Sequence, residues 1–125
     1  MSKQIKQQIK WLEFPEEKDY HSAVSYLGLI YEAKIADALV DQLKSKSVTS
    51  FKAKDLFRAS NLSLLGISNS HVRKDARKIK VGDYISPLLL VRDQVNGKVV
   101  IADGYHRLCA VYRYDEDALI PCKIV

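Results

Sequence analysis

The chain has 125 residues, of which 20 are Lys or Arg and 15 are Asp or Glu, so its formal net charge is +5. This length suits one domain, and a content of 47% hydrophobic and 28% charged residues excludes a disordered chain. No apolar run approaches the roughly 20 residues of a membrane span, and no apolar signal core follows the basic N-terminus. We therefore expect a cytoplasmic protein whose basic character favours an anionic partner: a nucleotide, a nucleic acid or an acidic protein.

The two cysteines, Cys109 and Cys122, have no spacing typical of a zinc site or a redox pair. Both lie among apolar neighbours, and small disulfide-stapled secreted domains usually carry more cysteines. We expect two free, buried thiols.

Residues 1–50 predict a helical N-terminal extension that packs on the same domain. Pro15 suits a helix start or the loop before it, and residues from Lys44 to Ser50 are polar enough for a connector. The helical pattern runs from Trp11 to about Ser50, with apolar side chains recurring every three or four residues: Leu27, Ile30, Tyr31, Ile35, Ala38, Leu39 and Leu43. We expect these helices to contribute packing and to be the surface through which a homodimer would form, and they contain no recognisable chemistry.

The remainder of the chain, 51–125, alternates strand and helix signals. Phe51–Phe57 predicts a short strand followed by a turn. Ser68, Asn69 and Ser70 offer capping oxygens for a helix that runs to about Lys80, and Gly82 is a suitable stop.

Three further strands are predicted in this region. The apolar run Leu88–Val91 predicts a buried strand, and Asn96-Gly97, a strong hairpin signal, returns the chain as a strand over Val99–Ala102. The chain closes with an apolar segment, Leu119–Val125, in which Pro121 indicates an edge strand or a strand entry. The predicted fold is a small mixed α/β (α+β) domain behind a helical N-terminal extension.

The segment Asp103-Gly104-Tyr105-His106-Arg107 is the candidate site. A strand that ends in glycine and opens into a helix presents unpaired backbone N–H groups and the positive end of the helix dipole, and glycine permits close approach. Such a terminus binds anions. His106 and Arg107 are poorly placed there for helix stability, because cations oppose the dipole, unless an anion joins them.

Judged from local physics alone, a purely structural role for this segment is about as probable as an anion site. In it, Asp103 is an N-cap, Gly104 permits the turn, and the two cations face solvent or the acidic segment at 115–117. One short motif carries a high risk of a false match.

From Phe51 to Val125 the chain resembles the ParB/sulfiredoxin superfamily. Three ordered segments carry the resemblance: Ser86–Val91, Val100–Leu108 and Ile120–Val125. The superfamily has the same order of a helix, a strand that begins with proline, a strand that ends in a Gly-x-x-Arg motif opening a helix, and a closing Ile-Pro strand. Its members include a CTP-binding partition protein, an ATP-using sulfinic acid reductase and a free serine kinase.

The resemblance implies that phosphates lie against this motif. Gly104 would allow the close approach, and His106 and Arg107 would contact phosphate oxygens. Asp103 matches the aspartate of the kinase-like Asp-Gly-His-x-Arg pattern. Tyr105, which we include among the nucleotide-binding residues, stands where sulfiredoxin has its nucleophilic cysteine, so a sulfiredoxin activity is not expected. The Gly-Glu-Arg-Arg pattern of the partition proteins also does not match.

The helix before the proline-initiated strand supplies further nucleotide contacts in these relatives. Here that helix offers Ser70, Arg73 and Arg77 on one side as weaker candidates, and a solvated basic face explains them equally well. His71 and His21 are expected on the surface, and no residues show metal-ligand spacing.

Three functions remain open. The first is a nucleotide-binding switch or accessory module. The second is a small ATP- or ADP-dependent kinase or phosphohydrolase with Asp103 as catalytic base or magnesium ligand, which needs a second carboxylate; Asp55, Asp75 and Asp83 are candidates. The third is a nucleic-acid-binding module that uses the basic helix. The expected ligand is a nucleoside triphosphate or diphosphate, with or without Mg²⁺.

Overall fold

The computed structural model describes residues 7–125. This part of the chain contains five helices and six strands. In chain order the elements are β1 Lys10–Trp11, α1 Glu17–Ile30, α2 Ala33–Ser45, β2 Thr49–Lys52, α3 Ala53–Ser60, α4 Ser70–Val81, β3 Tyr84–Ile85, β4 Leu88–Asp93, β5 Lys98–Asp103, α5 Tyr105–Tyr114 and β6 Leu119–Ile124. The predicted class, a small mixed α/β domain, is confirmed.

Four strands form one mixed sheet in the order β2-β6-β4-β5. β5 is antiparallel to β4, β6 is parallel to β4, and β2 is antiparallel to β6. β1 and β3 form a separate, short parallel pair. The strand that leads into the candidate site, β5, is therefore an edge strand of the main sheet.

Both faces of the main sheet are covered, because successive side chains of a strand point to opposite faces. Leu88 and Leu90 of β4 pack with helices α3, α4 and α5, whereas Leu89 and Val91 pack with α1 and α2. Burial on both faces explains why β4 is a continuous apolar run and does not alternate. The N-terminal helices thus form the layer that covers one face of the sheet.

The N-terminal region differs in detail from the predicted helical stretch. The helix is interrupted at Tyr31 and Glu32, whose extended backbones separate α1 from α2. The apolar spacing continues across this break, and neither Tyr31 nor Glu32 is a typical helix breaker such as Gly or Pro. The sequence pattern therefore does not reveal the break. Ile30 and Ile35, predicted on the apolar stripe, flank the break and are about half exposed. Homodimer formation through this region stays a prediction.

Two boundaries around residue 50 were predicted wrongly. The strand begins at Thr49, inside the expected connector, and it ends at Lys52. The expected turn before Phe57 is the helix α3, whose Ala53 and Leu56 are buried. The segment is short and its apolar residues fit either period, so helix and strand patterns overlap there.

The hairpin between β4 and β5 is confirmed, although Asn96 and Gly97 do not form a two-residue turn with positive φ at both residues. Gly97 alone adopts a positive φ, of 64°, and the backbone N–H of Asn96 donates to Asp93 Oδ1 at 3.2 Å. The loop therefore spans Gln94–Gly97 between paired Asp93 and Lys98. A left-handed residue at the end of a loop of this length is common in hairpins.

Other local predictions hold. The Asn69 side chain caps α4, and Gly82 ends it in a left-handed conformation with φ of 78°. Cys109 and Cys122 are free and buried. Pro121 is not on an edge strand, since β6 lies between β2 and β4. It is the third residue of β6, opposite Ser50 of β2, and pairing with β4 begins one residue later at Cys122. Within residues 7–125, no helix is both long and apolar enough to cross a membrane.

Candidate functional site

The candidate site forms where β5 passes into α5, as predicted. β5 ends at Asp103, and α5 begins at Tyr105. Between them, Gly104 is the helix N-cap with a φ of 108°, a conformation that L side chains rarely adopt. A Cβ at this position would lie 2.6 Å from Leu88 Cγ. Only glycine fits this turn without displacement of the core.

Asp103 is not the cap of this helix, so the N-cap role that the structural interpretation gave it is wrong, although Gly104 does permit the turn as that interpretation expected. Its carboxylate instead accepts a hydrogen bond from Arg107, with 2.7 Å between Asp103 Oδ2 and Arg107 Nη2. The second guanidinium nitrogen, Nη1, donates to Oδ1 of Asp19 at 3.3 Å. The three side chains are 17%, 14% and 5% exposed for Asp103, Arg107 and Asp19. One nearly buried cation is therefore held between two carboxylates.

Asp19 comes from the first turn of α1, in the layer that we expected to contain no chemistry. The backbone N–H of Glu16 donates to Asp19 Oδ2 at 2.8 Å. Burial on its own would raise the pKa of Asp19, but Arg107, the Glu16 N–H and a hydrogen bond with Ser86 together hold the pKa below its ordinary value. Asp19 is therefore the ionised member of the pair.

Asp103 has the opposite shift. Burial raises the pKa of Asp103 to about 6; Arg107 opposes the rise, and the negative charge and hydrogen bond of Asp19 add to it. When two carboxyl groups share one cation, the negative charge of the first makes ionisation of the second less favourable, so their pKa values differ. Asp103 is therefore the member of the pair that takes up a proton first as the pH falls, while Asp19 stays ionised.

Asp103 and Arg107 line a cleft of about 250 Å³, whereas Asp19 does not line it. Its walls come from β5 and α5, from α4, from the segment before α1 and from the β3–β4 segment. The lining residues are Leu12, Glu16, Lys18, His71, Lys74, Asp75, Lys78, Tyr84, Ile85, Ser86, Asp103, Gly104, His106 and Arg107. The ionisable side chains are of both signs, with three lysines among them.

Helix α4 contributes the wall opposite the motif. The His71 and His106 rings lie 4.8 Å apart, and partial burial, together with the charge of His71, lowers the pKa of His106. Burial raises the pKa of Asp75, while Arg107, Lys78 and His106 oppose that rise. His106 is therefore neutral in most molecules at neutral pH, and it can accept or donate a proton.

The structure separates the predicted residues into two groups. Asp103, Gly104, His106 and Arg107 meet at the cleft, whereas Tyr105 does not line it and donates its hydroxyl to the carbonyl of Ser63. The weaker candidates lie together on another face of α4, where Ser70, Arg73 and Arg77 line a shallow concavity with Lys74. Lys74 alone lines both the cleft and this concavity.

The sequence interpretation missed Asp19, and among the α4 residues that line the cleft it had named only Asp75 as a candidate carboxylate. His71, Asp75 and Lys78 follow helical spacing on one side of the buried stripe that contains Val72 and Ile79. A polar helix gives no signal for which side faces the site. The expected surface position of His71 is confirmed by its exposure, yet it also lines the cleft.

A second aspartate lines the cleft together with Asp103. Of the three candidates predicted for it, Asp75 lines the cleft, and Asp55 and Asp83 do not. No group of three or more His, Cys, Asp or Glu residues among residues 7–125 is arranged to hold a metal ion.

Comparisons of the chain with protein-family models, with curated proteins and with solved structures found no match. The resemblance to the ParB/sulfiredoxin superfamily consequently has no support beyond the residues that carry it.

Proposed function

We propose that the chain is a nucleotide-phosphate-binding domain of ParB/sulfiredoxin type that acts in the cytoplasm as a switch or accessory module. The observation that carries the proposal is the N-terminus of α5 at Gly104, which opens on a cleft lined by Lys18, Lys74 and Lys78. The helix end supplies N–H donors and a partial positive charge, and the lysines supply mobile point charges.

The size of the cleft favours the phosphate end of such a ligand. At about 250 Å³ it is smaller than the roughly 300–1,000 Å³ of pockets that enclose a drug-sized molecule. A phosphate chain fits this volume, and the nucleoside would lie outside it. Because Arg107 is already held by two carboxylates, the lysines and His106 are the residues that we assign to the phosphate oxygens.

Loss of one such contact is expected to weaken nucleotide binding. Lys78→Ala and His106→Ala should each reduce the affinity for ATP, CTP or GTP about tenfold to a hundredfold, since a charge-assisted hydrogen bond contributes roughly 1.5–3 kcal/mol. Calorimetric titration measures this. Lys80→Ala is the matched control, because Lys80 is on the same helix, is exposed and does not line the cleft. If the unsubstituted protein binds no nucleotide with or without Mg²⁺, the proposal fails.

A second candidate function, a small kinase or phosphohydrolase, is favoured by a specific observation. Asp103 lies at the cleft with a pKa of about 6, and a general base works best when its pKa is near the operating pH. Asp75 provides another carboxylate at the same cleft, which supports this candidate because a kinase needs a second carboxylate for metal or base work.

Turnover is expected to depend on Asp103. Nucleoside triphosphates and diphosphates should be incubated with free serine and other small hydroxyl compounds, and products followed by mass spectrometry. If the chain is a kinase, Asp103→Asn should reduce product formation by at least a hundredfold, because the amide cannot accept the proton of the attacking hydroxyl. Asp55→Asn, distant from the cleft, should not change it. Equal rates in both variants would exclude Asp103 as the base.

A further inference from the structure

The arrangement around Arg107 has one cation in contact with two carboxylates. Asp19 and Asp103 approach Arg107 from different elements, α1 and β5, and each accepts from a different guanidinium nitrogen. Arg107 Nε is buried and has no hydrogen-bond partner in the described part of the chain. When both carboxylates are ionised, this group carries a net charge of −1 with little solvent to screen it.

Apart from Asp103, the charged groups at the cleft come from α1 with the segment before it, from α4 and from α5. α1 and the residues before it contribute Glu16 and Lys18, α4 contributes His71, Lys74, Asp75 and Lys78, and α5 contributes His106 and Arg107. The β3–β4 segment adds only Tyr84 and Ser86 as polar groups, and no α3 residue lines the cleft. The lysines favour an anion in the cleft, and the carboxylates at and next to it oppose one.

We propose that anion binding in this cleft is coupled to uptake of one proton by the Asp19–Asp103 pair, so that the site distinguishes a bare phosphate chain from a magnesium-bound one. The inference rests on the proposed phosphate binding and deepens it. A bare phosphate would place a third anionic group beside two carboxylates that share one guanidinium. A proton that moves from solvent buffer to an Asp103 carboxylate oxygen removes one of those negative charges.

Magnesium has the opposite effect on the same carboxylate. A Mg²⁺ ion carried by the phosphates neutralises their charge and favours an ionised carboxylate nearby, because opposite charges lower the pKa of an acid. Bare phosphates are thus bound with proton uptake, and their affinity declines as the pH rises above the pKa of Asp103. Magnesium-bound phosphates take up no proton at this pair.

The sign of this pH dependence follows from the shift of Asp103. Its pKa of about 6 rises further when an anion binds, since a like charge disfavours ionisation. At a pH between the pKa of Asp103 in the free protein and its pKa in the complex, the complex holds a proton that the free protein lacks. The affinity for bare ATP should therefore fall by up to tenfold per pH unit in this interval.

Calorimetry with ATP in buffers of different ionisation enthalpy tests the coupling, with titrations near pH 7 both with and without Mg²⁺. Protons that ATP itself exchanges are common to all variants, so the decisive quantity is the difference between the unsubstituted protein and Asp103→Asn. Without Mg²⁺ the unsubstituted protein should take up additional protons, approaching one per ATP, and with Mg²⁺ the difference should disappear. Asp55→Asn, as a control, should behave like the unsubstituted protein.

A second measurement is made first on the unsubstituted protein, where it does not depend on the fold of any variant. Carbon-13 NMR of aspartate carboxyl groups should show one resonance titrating near pH 6 whose midpoint rises when ATP is added. Asp19→Asn should lower this midpoint, because it removes the negative charge beside Asp103 while retaining a polar side chain. ATP binding with an unchanged midpoint and equal proton uptake would overturn the coupling and leave phosphate binding intact. Absence of ATP binding would overturn both.

Discussion

Arg107→Met is expected to lower the free energy of unfolding by about 3 kcal/mol at neutral pH, because it leaves two nearly buried carboxylates without their cation. Methionine retains most of the apolar stem of arginine, so the loss of unfolding free energy reflects the missing charge more than lost packing. Asp19 and Asp103 are 5% and 17% exposed, so little water reaches them in compensation. Urea denaturation with an unchanged slope would measure the effect.

The loss in Arg107→Met should depend on pH with a defined sign. Without Arg107, both carboxyl groups have raised pKa values in the folded state, so their protonated forms stabilise the fold below the unfolded-state pKa. That stability is lost as the pH rises, and the deficit should be small near pH 4 and grow towards pH 7. Asp19→Asn and Asp103→Asn, added together, should recover part of it.

Arg113→Met is the control for this comparison. Arg113 lies on the same helix, is exposed, and its Nε donates to the Leu65 carbonyl at 3.3 Å. Its replacement should change the free energy of unfolding by no more than about 1 kcal/mol at any pH. A loss in Arg107→Met that is as large at pH 4 as at pH 7 would mean that packing, and not charge, is responsible.

The position of Arg107 shows what the sequence could and could not specify. The strand, the glycine and the helix start at 103–105 follow from local signals, and all three are found. The partner of Arg107 does not follow, because Asp19 is 88 residues away and its contact depends on how α1 packs over β5. The sequence therefore located the motif, while the charge balance at its centre depended on tertiary structure.

In helix α4 the sequence likewise predicted the local structure but not which side chains face the cleft. Asn69 and Gly82 mark its ends in the sequence, and both act as the predicted caps. Arg73 and Arg77 were weaker candidates on one side of the helix, yet Lys78 and His71, on another side, line the cleft. Hydrophobic periodicity identifies the buried side of such a helix, but it does not distinguish its two polar flanks.

Gly104→Ala is expected to destabilise the fold by about 3 kcal/mol, which is the largest effect of a single added methyl group that the described residues suggest. A φ of 108° costs roughly 1–3 kcal/mol in a residue with a Cβ. The new Cβ would also lie 2.6 Å from Leu88 Cγ, and Leu88 is fully buried, so overpacking adds to the strain. Thermal denaturation would show a melting temperature lower by roughly 10 °C.

Two other glycines separate the contributions to this loss. Gly97→Ala has a positive φ of 64° but open space around its Cβ, so it should cost only about 1 kcal/mol of backbone strain. Gly28→Ala lies within α1 with open space and should stabilise the fold by roughly 0.5–1 kcal/mol. The Gly104 variant should also bind nucleotide more weakly, because its Cβ would lie 2.8 Å from Arg107 Nη2 and crowd the helix end. If Gly104→Ala costs no more than Gly97→Ala, the turn can relax, and the requirement for glycine at the N-terminus of α5 is refuted.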